Sequence, residues 1–332
     1  HQLLRVDAQA LDPVAPGDLA PQLLVADGQV FGQALRRQAP HRRGQAAREL
    51  LERKQQRREY CHGAIVIVHT ASEPRNAILR RGRETMSQNY KMIIQYEGTR
   101  YDGWQKQGNT DNTIQGKLET LLSRIAGEPV EIHGAGRTDA GVHAAGQVAN
   151  AKFHTDLSDE ELLQTINHYL PEDIEVTSLA RMPERFHSRL NAADKTYEYR
   201  IVIDGRKHVF ERKYVYFPEA PLDVEKMKEA SKAFVGTYDF RSFCANKRMK
   251  KSTVRTITGI DFCEKDGILT ISYTGTGFLY HMVRILTGTL VEAGMGKRDI
   301  ALMTELLKAK NRESAGFLAP ACGLLLKEVR YE

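Results

Sequence analysis

The sequence predicts an α+β fold, with helices packed on a largely antiparallel sheet. Two observations lead there. From Tyr90 onward, apolar runs of period two are mixed with runs of helical period, without the regular strand–helix rhythm of a doubly wound parallel sheet. Two stretches of similar content then meet near Asn191, with no repeat between them at the level of sequence. The expected organisation is an N-terminal half at 86–190, a C-terminal half at 191–332, and a preceding segment 1–85 that is not a domain.

Taken in order, Lys91–Tyr96 reads as a strand, followed by a glycine-rich loop through Gly103 and Gly108. Thr113 can cap a helix whose Ile114, Leu118, Leu121, Leu122 and Ile125 recur on one face. A short strand at Val130–Ile132 leads into a second glycine-rich segment, and Gln147–Phe153 reads as the next strand. Ser158 and Glu161 have the spacing of a capping box ahead of Leu162, Leu163, Ile166 and Tyr169. Strands at Ile174–Ala180 and Lys195–Ile203 follow. The second half then offers a helix at Asp223–Phe234, a loop, strands at Val254–Cys263 and Ile268–Tyr273, helices at Leu279–Ala293 and Arg298–Lys308, and a last strand at Leu324–Arg330.

Composition narrows the class. Of 332 residues, 41% are hydrophobic and 27% charged, as in a soluble globular protein, and no apolar run approaches the length of a membrane helix. Cys61, Cys244, Cys263 and Cys322 lie far apart, which argues against a zinc site or a disulfide framework and fits a reducing cytoplasm. The net charge of +6 invites a nucleic-acid reading, but its location weakens it. Residues 1–85 hold 14 Lys and Arg against 9 Asp and Glu, whereas residues 86–332 hold 34 against 33. Any electrostatic footprint in the patterned region is therefore local. The first 85 residues contain only Phe31 and Tyr60 as aromatics, and 13 of their 14 basic residues are Arg. They read as a poorly ordered extension, or as upstream sequence translated with a gene whose natural start is Met86 or Met92. The competing reading makes Arg36–Arg58 a basic helix that contacts RNA.

The segment Gly134–Gly146 is the first candidate for chemistry. Its glycines let the backbone turn sharply, and it lacks the Gly-Lys-Ser/Thr ending of a phosphate loop. Asp139 on such a loop, two residues from Arg137, suits a nucleophile or base held in its charged form. An Asp that merely stabilises a turn is the other reading, and the loop alone leaves both open.

Gly136–Val148 matches at every fixed position the pattern Gly-Arg-Thr-Asp-x-Gly-Val-His-Ala-x-Gly-Gln-Val, and so resembles the tRNA pseudouridine synthase A family. The resemblance extends collinearly from about residue 90 to 332. It takes in Tyr101–Gln107, Thr113–Gln115, Phe186–Arg189, Lys195–Tyr199, Asp239–Phe243, Phe278–Arg284 and Gly323–Leu324. It implies the pseudouridine synthase-like fold, two similar halves around a central cleft. The reaction it implies detaches uracil from ribose, rotates it and reattaches it through carbon, without cofactor or metal. In that scheme Asp139 is the catalytic aspartate, Tyr197 stacks on the target base, and Arg284 pairs with Asp139. Leu324 makes an apolar contact with the target ring, and Arg137 contacts RNA. A bidentate guanidinium at Arg284 would orient the carboxylate and favour its charged form. Tyr199, on the same strand face as Tyr197, reads as structural.

The resemblance also implies a cytoplasmic homodimer, with one tRNA touching both subunits, and targets at positions 38–40 of the anticodon stem-loop. A stacked uridine must be extruded for such chemistry, at a cost of a few kcal/mol offset by stacking and backbone contacts. Lys247, Arg248, Lys250 and Lys251 in one loop, and Arg181, Arg185 and Arg189 in another, are candidates for the backbone contacts. Departures from the pattern are Lys106 where many members carry Arg, Tyr238 where His or Asn is commoner, and Leu325 where an aromatic often follows the Gly-Leu pair. Two other classes compete: a non-catalytic RNA-binding protein, and a glycoside or nucleoside hydrolase. The second would want two flanking carboxylates where this loop has one.

Overall fold

A computed structural model of the chain describes residues 87–332. The expectations for residues 1–85, and for Met86 as a start, lie outside the described residues. Within them the strands form one sheet in the order β4-β1-β3-β9-β5-β8-β7-β6, with β2 paired to β3 beside it. The strands are β1 (Gln88–Tyr96), β2 (Ile132–Gly134), β3 (His143–Phe153), β4 (Ile174–Met182), β5 (Ala192–Val202), β6 (Gly236–Asp239), β7 (Val254–Lys265), β8 (Ile268–Gly275) and β9 (Leu324–Tyr331). Every pairing is antiparallel except β3 with β9. Strands from 86–190 occupy one end of the sheet and strands from 191–332 the other, joined at that parallel seam.

The local reasons are those the sequence suggests. In β1, Tyr90, Met92, Ile94 and Tyr96 are buried at period two. Helix α1 (Ile114–Ala126) starts at Thr113, whose hydroxyl accepts from the Gly116 amide at 3.2 Å, and ends at Gly127 in the left-handed region. Helix α2 (Asp159–Tyr169) begins with a complete capping box: Ser158 Oγ accepts from the Glu161 amide, and the Ser158 amide donates to Glu161 Oε2 at 2.9 Å. In the second half, α3 (Val224–Ser231) packs against α4 (Met282–Gly294), and α4 and α5 (Met303–Ala309) pack on the sheet. Helix α4 is buried almost all round, from Met282 and Val283 to Ala293, as a helix without a polar face must be.

The differences have physical causes. Strand β3 begins at His143, four residues before the apolar pattern does. Ala144, Ala145 and Gly146 carry little strand propensity; pairing of His143 and Ala144 with Leu325 and Leu326 holds them extended. Strand β6 has no counterpart in the sequence reading, because four residues of Gly-Thr-Tyr-Asp show no periodicity; its pairing with β7 creates it. Helix α4 starts at Met282 rather than Leu279, since His281 sits at φ 65. The expected helix at Arg298–Lys308 is a 3-10 turn at Ile300–Leu302 followed by the shorter α5.

Strands β9 and β2 share one edge of β3: β9 pairs at its start, β2 at Ala149–Ala151. The segment 135–142 spans the interval, which sets the glycine-rich loop beside the central seam.

Candidate active site

The loop 135–142 is anchored along its length. Ala135 donates its amide to Val148 O at 2.7 Å, and Gln147 Nε2 donates to Gly136 O at 2.9 Å. Gln147 Oε1 is a buried acceptor without a partner among the described residues. Trp104 donates its amide to Thr138 O at 3.0 Å, and the Thr138 hydroxyl meets Tyr96 Oη at 2.8 Å. Val142 closes the turn by donating to Asp139 O at 3.1 Å. Gly103, at φ +90, lies so close under the loop that a Cβ there would stand 2.7 Å from Thr138 O and 3.1 Å from the Asp139 carbonyl carbon. His143 braces the far end. Its Nδ1 accepts from the Gly98 amide at 3.0 Å, so its Nε2–H donates to Lys213 O at 3.0 Å. Burial holds that imidazole below its usual pKa, against the pull of Glu97.

On this frame the Asp139 side chain is 19% exposed. Its Oδ2 accepts from Arg284 Nη1 at 2.9 Å, and His281 Nε2 stands 3.3 Å from the same oxygen. No partner for Oδ1 occurs among the described residues, so one oxygen is clamped and the other left open. Arg284 makes one bond to the carboxylate, not the expected two. Its Nε donates instead to Ala319 O at 2.7 Å, tying the guanidinium to the chain before β9. Arg137 is exposed and makes no ion pair among the described residues. The charge opposite Asp139 comes from a residue 145 positions away and not from its sequence neighbour.

Tyr197 projects from β5, 7% exposed, with Phe278 edge-on to its ring at 5.2 Å between centroids. Its hydroxyl has no hydrogen-bond partner among the described residues. Burial first, then Tyr96 and the charge of Asp139, raise the phenol well above its ordinary range, so it is a neutral donor and a poor base. Tyr199 is fully buried two residues on and donates its hydroxyl to Pro320 O at 2.7 Å, a structural tie. Leu324 opens β9 opposite Tyr199 and is buried in the core. Close by, Ala321 Cβ would be 3.3 Å from a Cβ on Gly141, so the start of β9 abuts the loop.

Of the two basic clusters, Arg181 is taken up by Asp159 at 2.7 Å. Lys247, Arg248, Lys250 and Lys251 make no ion pair among the described residues, and all but the half-buried positions of that loop face solvent. The residue that sequence reasoning missed is His281. It stands in the run Phe278–Arg284, but only its left-handed backbone, and its stacking on Tyr280 at 3.7 Å between centroids, turn it toward Asp139. Burial lowers its pKa, with Asp139 opposing and Arg284 and Arg312 reinforcing the shift.

The family described as tRNA pseudouridine synthase matches residues 92–191 and 230–332 of the chain. The chain is similar to tRNA pseudouridine synthase A of Bacillus sp. (strain KSM-64), 48% identical over 243 residues that make up 73% of this chain and 99% of that protein. It is 43% identical, with the same two shares, to tRNA pseudouridine synthase A 2 of Bacillus anthracis. Identity is also 43% with tRNA pseudouridine synthase A 1 of Clostridium tetani, over 73% of this chain and 99% of that one. Among solved structures, a chain from a Cbf5-Nop10-Gar1 complex aligns at a TM-score of 0.29 and 14% identity, over 61% of this chain and 45% of its own, too slight a likeness to carry an argument. The clamped carboxylate thus belongs to a chain whose sequence matches one family along both halves of the sheet: the chain belongs to the tRNA pseudouridine synthase family and is an isomerase that converts uridine to pseudouridine.

Proposed function

We propose that this protein isomerises uridines at positions 38–40 of the tRNA anticodon stem-loop, with Asp139 as the nucleophile. The observation that carries the reading is the asymmetry of Asp139: Oδ2 is held by Arg284 beside His281, while Oδ1 is open on a rigid loop. Asp139 attacks the extruded nucleotide and the N1–C1′ bond breaks. The freed uracil turns within the site and rejoins C1′ through C5, and the bond to Asp139 breaks to return the free carboxylate; the C5 proton leaves and N1 gains one. Net composition is unchanged, so the chain needs no redox partner. Tyr197 supplies a ring to stack on the base and a hydroxyl that stays protonated, and Leu324 bounds the ring from the start of β9. Arg137 and the 247–251 loop supply cations for the RNA backbone.

The test is Asp139→Asn, which keeps the shape and removes the nucleophile. Pseudouridine formation falls by at least about a thousandfold while tRNA affinity stays within a few fold. Persistent activity would overturn the assignment, and release of free uracil would identify a hydrolase. Binding of tRNA without modification by the unaltered protein would leave a non-catalytic binder. Mapping the pseudouridines tests positions 38–40. We extend the proposal to a homodimer that binds one tRNA across both subunits in the cytoplasm. Among the described residues no helix is long and apolar enough to cross a membrane.

A further inference from the structure

Lys195 lies on the same face of β5 as Tyr197, one pleat nearer the start of the strand. Its Nζ donates to Ala135 O at 2.6 Å, which uses one of three ammonium hydrogens. It makes no ion pair among the described residues. Burial first, and then the positive charges of Arg189 and Arg255, push the ammonium down to about 8. Arg255 in turn is lowered by burial and by Arg189. It donates Nη1 to Ser252 O at 3.0 Å and Val254 O at 2.6 Å, and likewise makes no ion pair among the described residues. Three cations thus stand within electrostatic reach of one another without an acidic partner among the described residues. A half-buried charge without a counterion is costly, and the cost is met when an anion binds.

The geometry says where that anion would sit. Above Gly136, the position a Cβ would occupy is 3.6 Å from Lys195 Nζ and 3.6 Å from Tyr197 Oη. Both groups therefore face Gly136, whose missing side chain lets a ligand approach them; the ammonium has donated one hydrogen, and the hydroxyl has no partner among the described residues. The proposed function sets Tyr197 against the target base, so an anion beside Lys195 would neighbour that nucleotide.

Resting on the reading that the substrate is RNA, we propose that Lys195, together with Arg189 and Arg255, binds the phosphodiester that flanks the target uridine. The site grips the backbone next to the extruded nucleotide, while the 247–251 loop and Arg137 contact the RNA elsewhere. An ammonium serves here as a point charge that tolerates the shift of the phosphate as the base leaves its stack.

The experiment uses an anticodon stem-loop RNA in which the phosphate on either side of the target uridine is replaced, one at a time, by an uncharged methylphosphonate. Binding and turnover are measured for the unaltered protein, Lys195→Gln, Lys195→Arg and Arg255→Gln. Lys195→Gln weakens binding of the natural RNA by about tenfold and lowers the salt dependence of log K by about one charge's worth. At one of the two positions the methylphosphonate costs the unaltered protein a similar factor but costs Lys195→Gln almost nothing more, the coupling expected of direct partners. Lys195→Arg recovers most of the affinity, and Arg255→Gln couples to the same phosphate. Should Lys195→Gln not fold, the Arg255→Gln arm decides by itself. The proposal is overturned if the losses multiply independently at both positions, or if Lys195→Gln lowers turnover with affinity unchanged, which would place the amine in the chemical step. Pseudouridine formation by the unaltered protein on the natural RNA is followed in parallel. Its absence would sink the proposed function, and its presence without coupling would sink this inference alone.

Discussion

Two side chains lie against one oxygen of Asp139, and they differ in what they contribute. Arg284 carries charge, donates Nη1 to that oxygen and is fixed by Ala319 O, whereas His281, its pKa lowered by burial, stands with Nε2 3.3 Å away. It borders that oxygen only through a left-handed backbone that a side chain other than Asn, Asp or His rarely adopts. His281→Ala is expected to lower kcat about tenfold with little change in KM, and His281→Asn, which accepts that backbone and keeps an amide donor, to recover most of it. Steady-state kinetics near neutral pH decide. Equal loss in the two variants would mean that the imidazole ring itself is needed. Lys195 allows a thermodynamic prediction. Its folded pKa of about 8 lies below the ordinary 10.5, so the unfolded chain binds more protons between those values. Stability therefore rises as pH climbs through that window, and below it the charged amine is a standing cost. Lys195→Met should be more stable than the unaltered protein at neutral pH, by about 1–2 kcal/mol, with the gap closing as pH rises toward the ordinary lysine value. A calorimetric series across that range checks both the sign and the closure.

At the scale of elements, the glycine-rich loop is rigid because its neighbours are built around it. Gly103 has no room for a side chain and no φ that favours one, so Gly103→Ala should push Thr138 and Asp139 away. We expect a loss of about 2–3 kcal/mol in stability, and a fall in kcat beyond what reduced folding explains. The contrasting element is α2, whose capping box lies at an exposed helix start and whose bonds stay within the turn itself. Ser158→Ala should cost about 1 kcal/mol and leave kcat untouched. Denaturant unfolding and turnover on the same preparations separate the two effects. The capping box, the Thr113 cap and the period-two burial of β1 are legible in the sequence because each is decided by neighbours in the chain. Strand β6 and the first residues of β3 are not, because cross-strand pairing outweighs their weak propensities. Nor is the start of α4, which waits on the left-handed turn at His281.

For the whole molecule, the parallel seam between β3 and β9 sets the geometry of the site. It brings the last strand of the chain beside the loop of the first half, so Asp139, Arg284 and Leu324 converge although spread over 185 residues of sequence. The relatives align over 243 residues, 99% of their own length and 73% of this chain. A chain beginning at Met86 is therefore expected to fold, to sediment as a dimer and to modify tRNA as the full chain does. A large loss of tRNA affinity would instead assign the Arg-rich stretch 36–58 a role in binding. By itself, the sequence determined the α+β class, the long strands and capped helices, and the glycine-rich run that matches the family around Asp139, since these reside in local periodicity and in a run of adjacent residues. It also suggested the partner of Asp139, but through resemblance; the nearest cation in the chain, Arg137, was the physically obvious choice and turns outward. Only the tertiary structure decided that Arg284 makes one bond and not two, that His281 stands beside the same oxygen, and that Lys195 stands without a counterion among the described residues. Those facts depend on which side chains the folded sheet brings within a few ångströms of each other, and sequence separation carries no information about such distances.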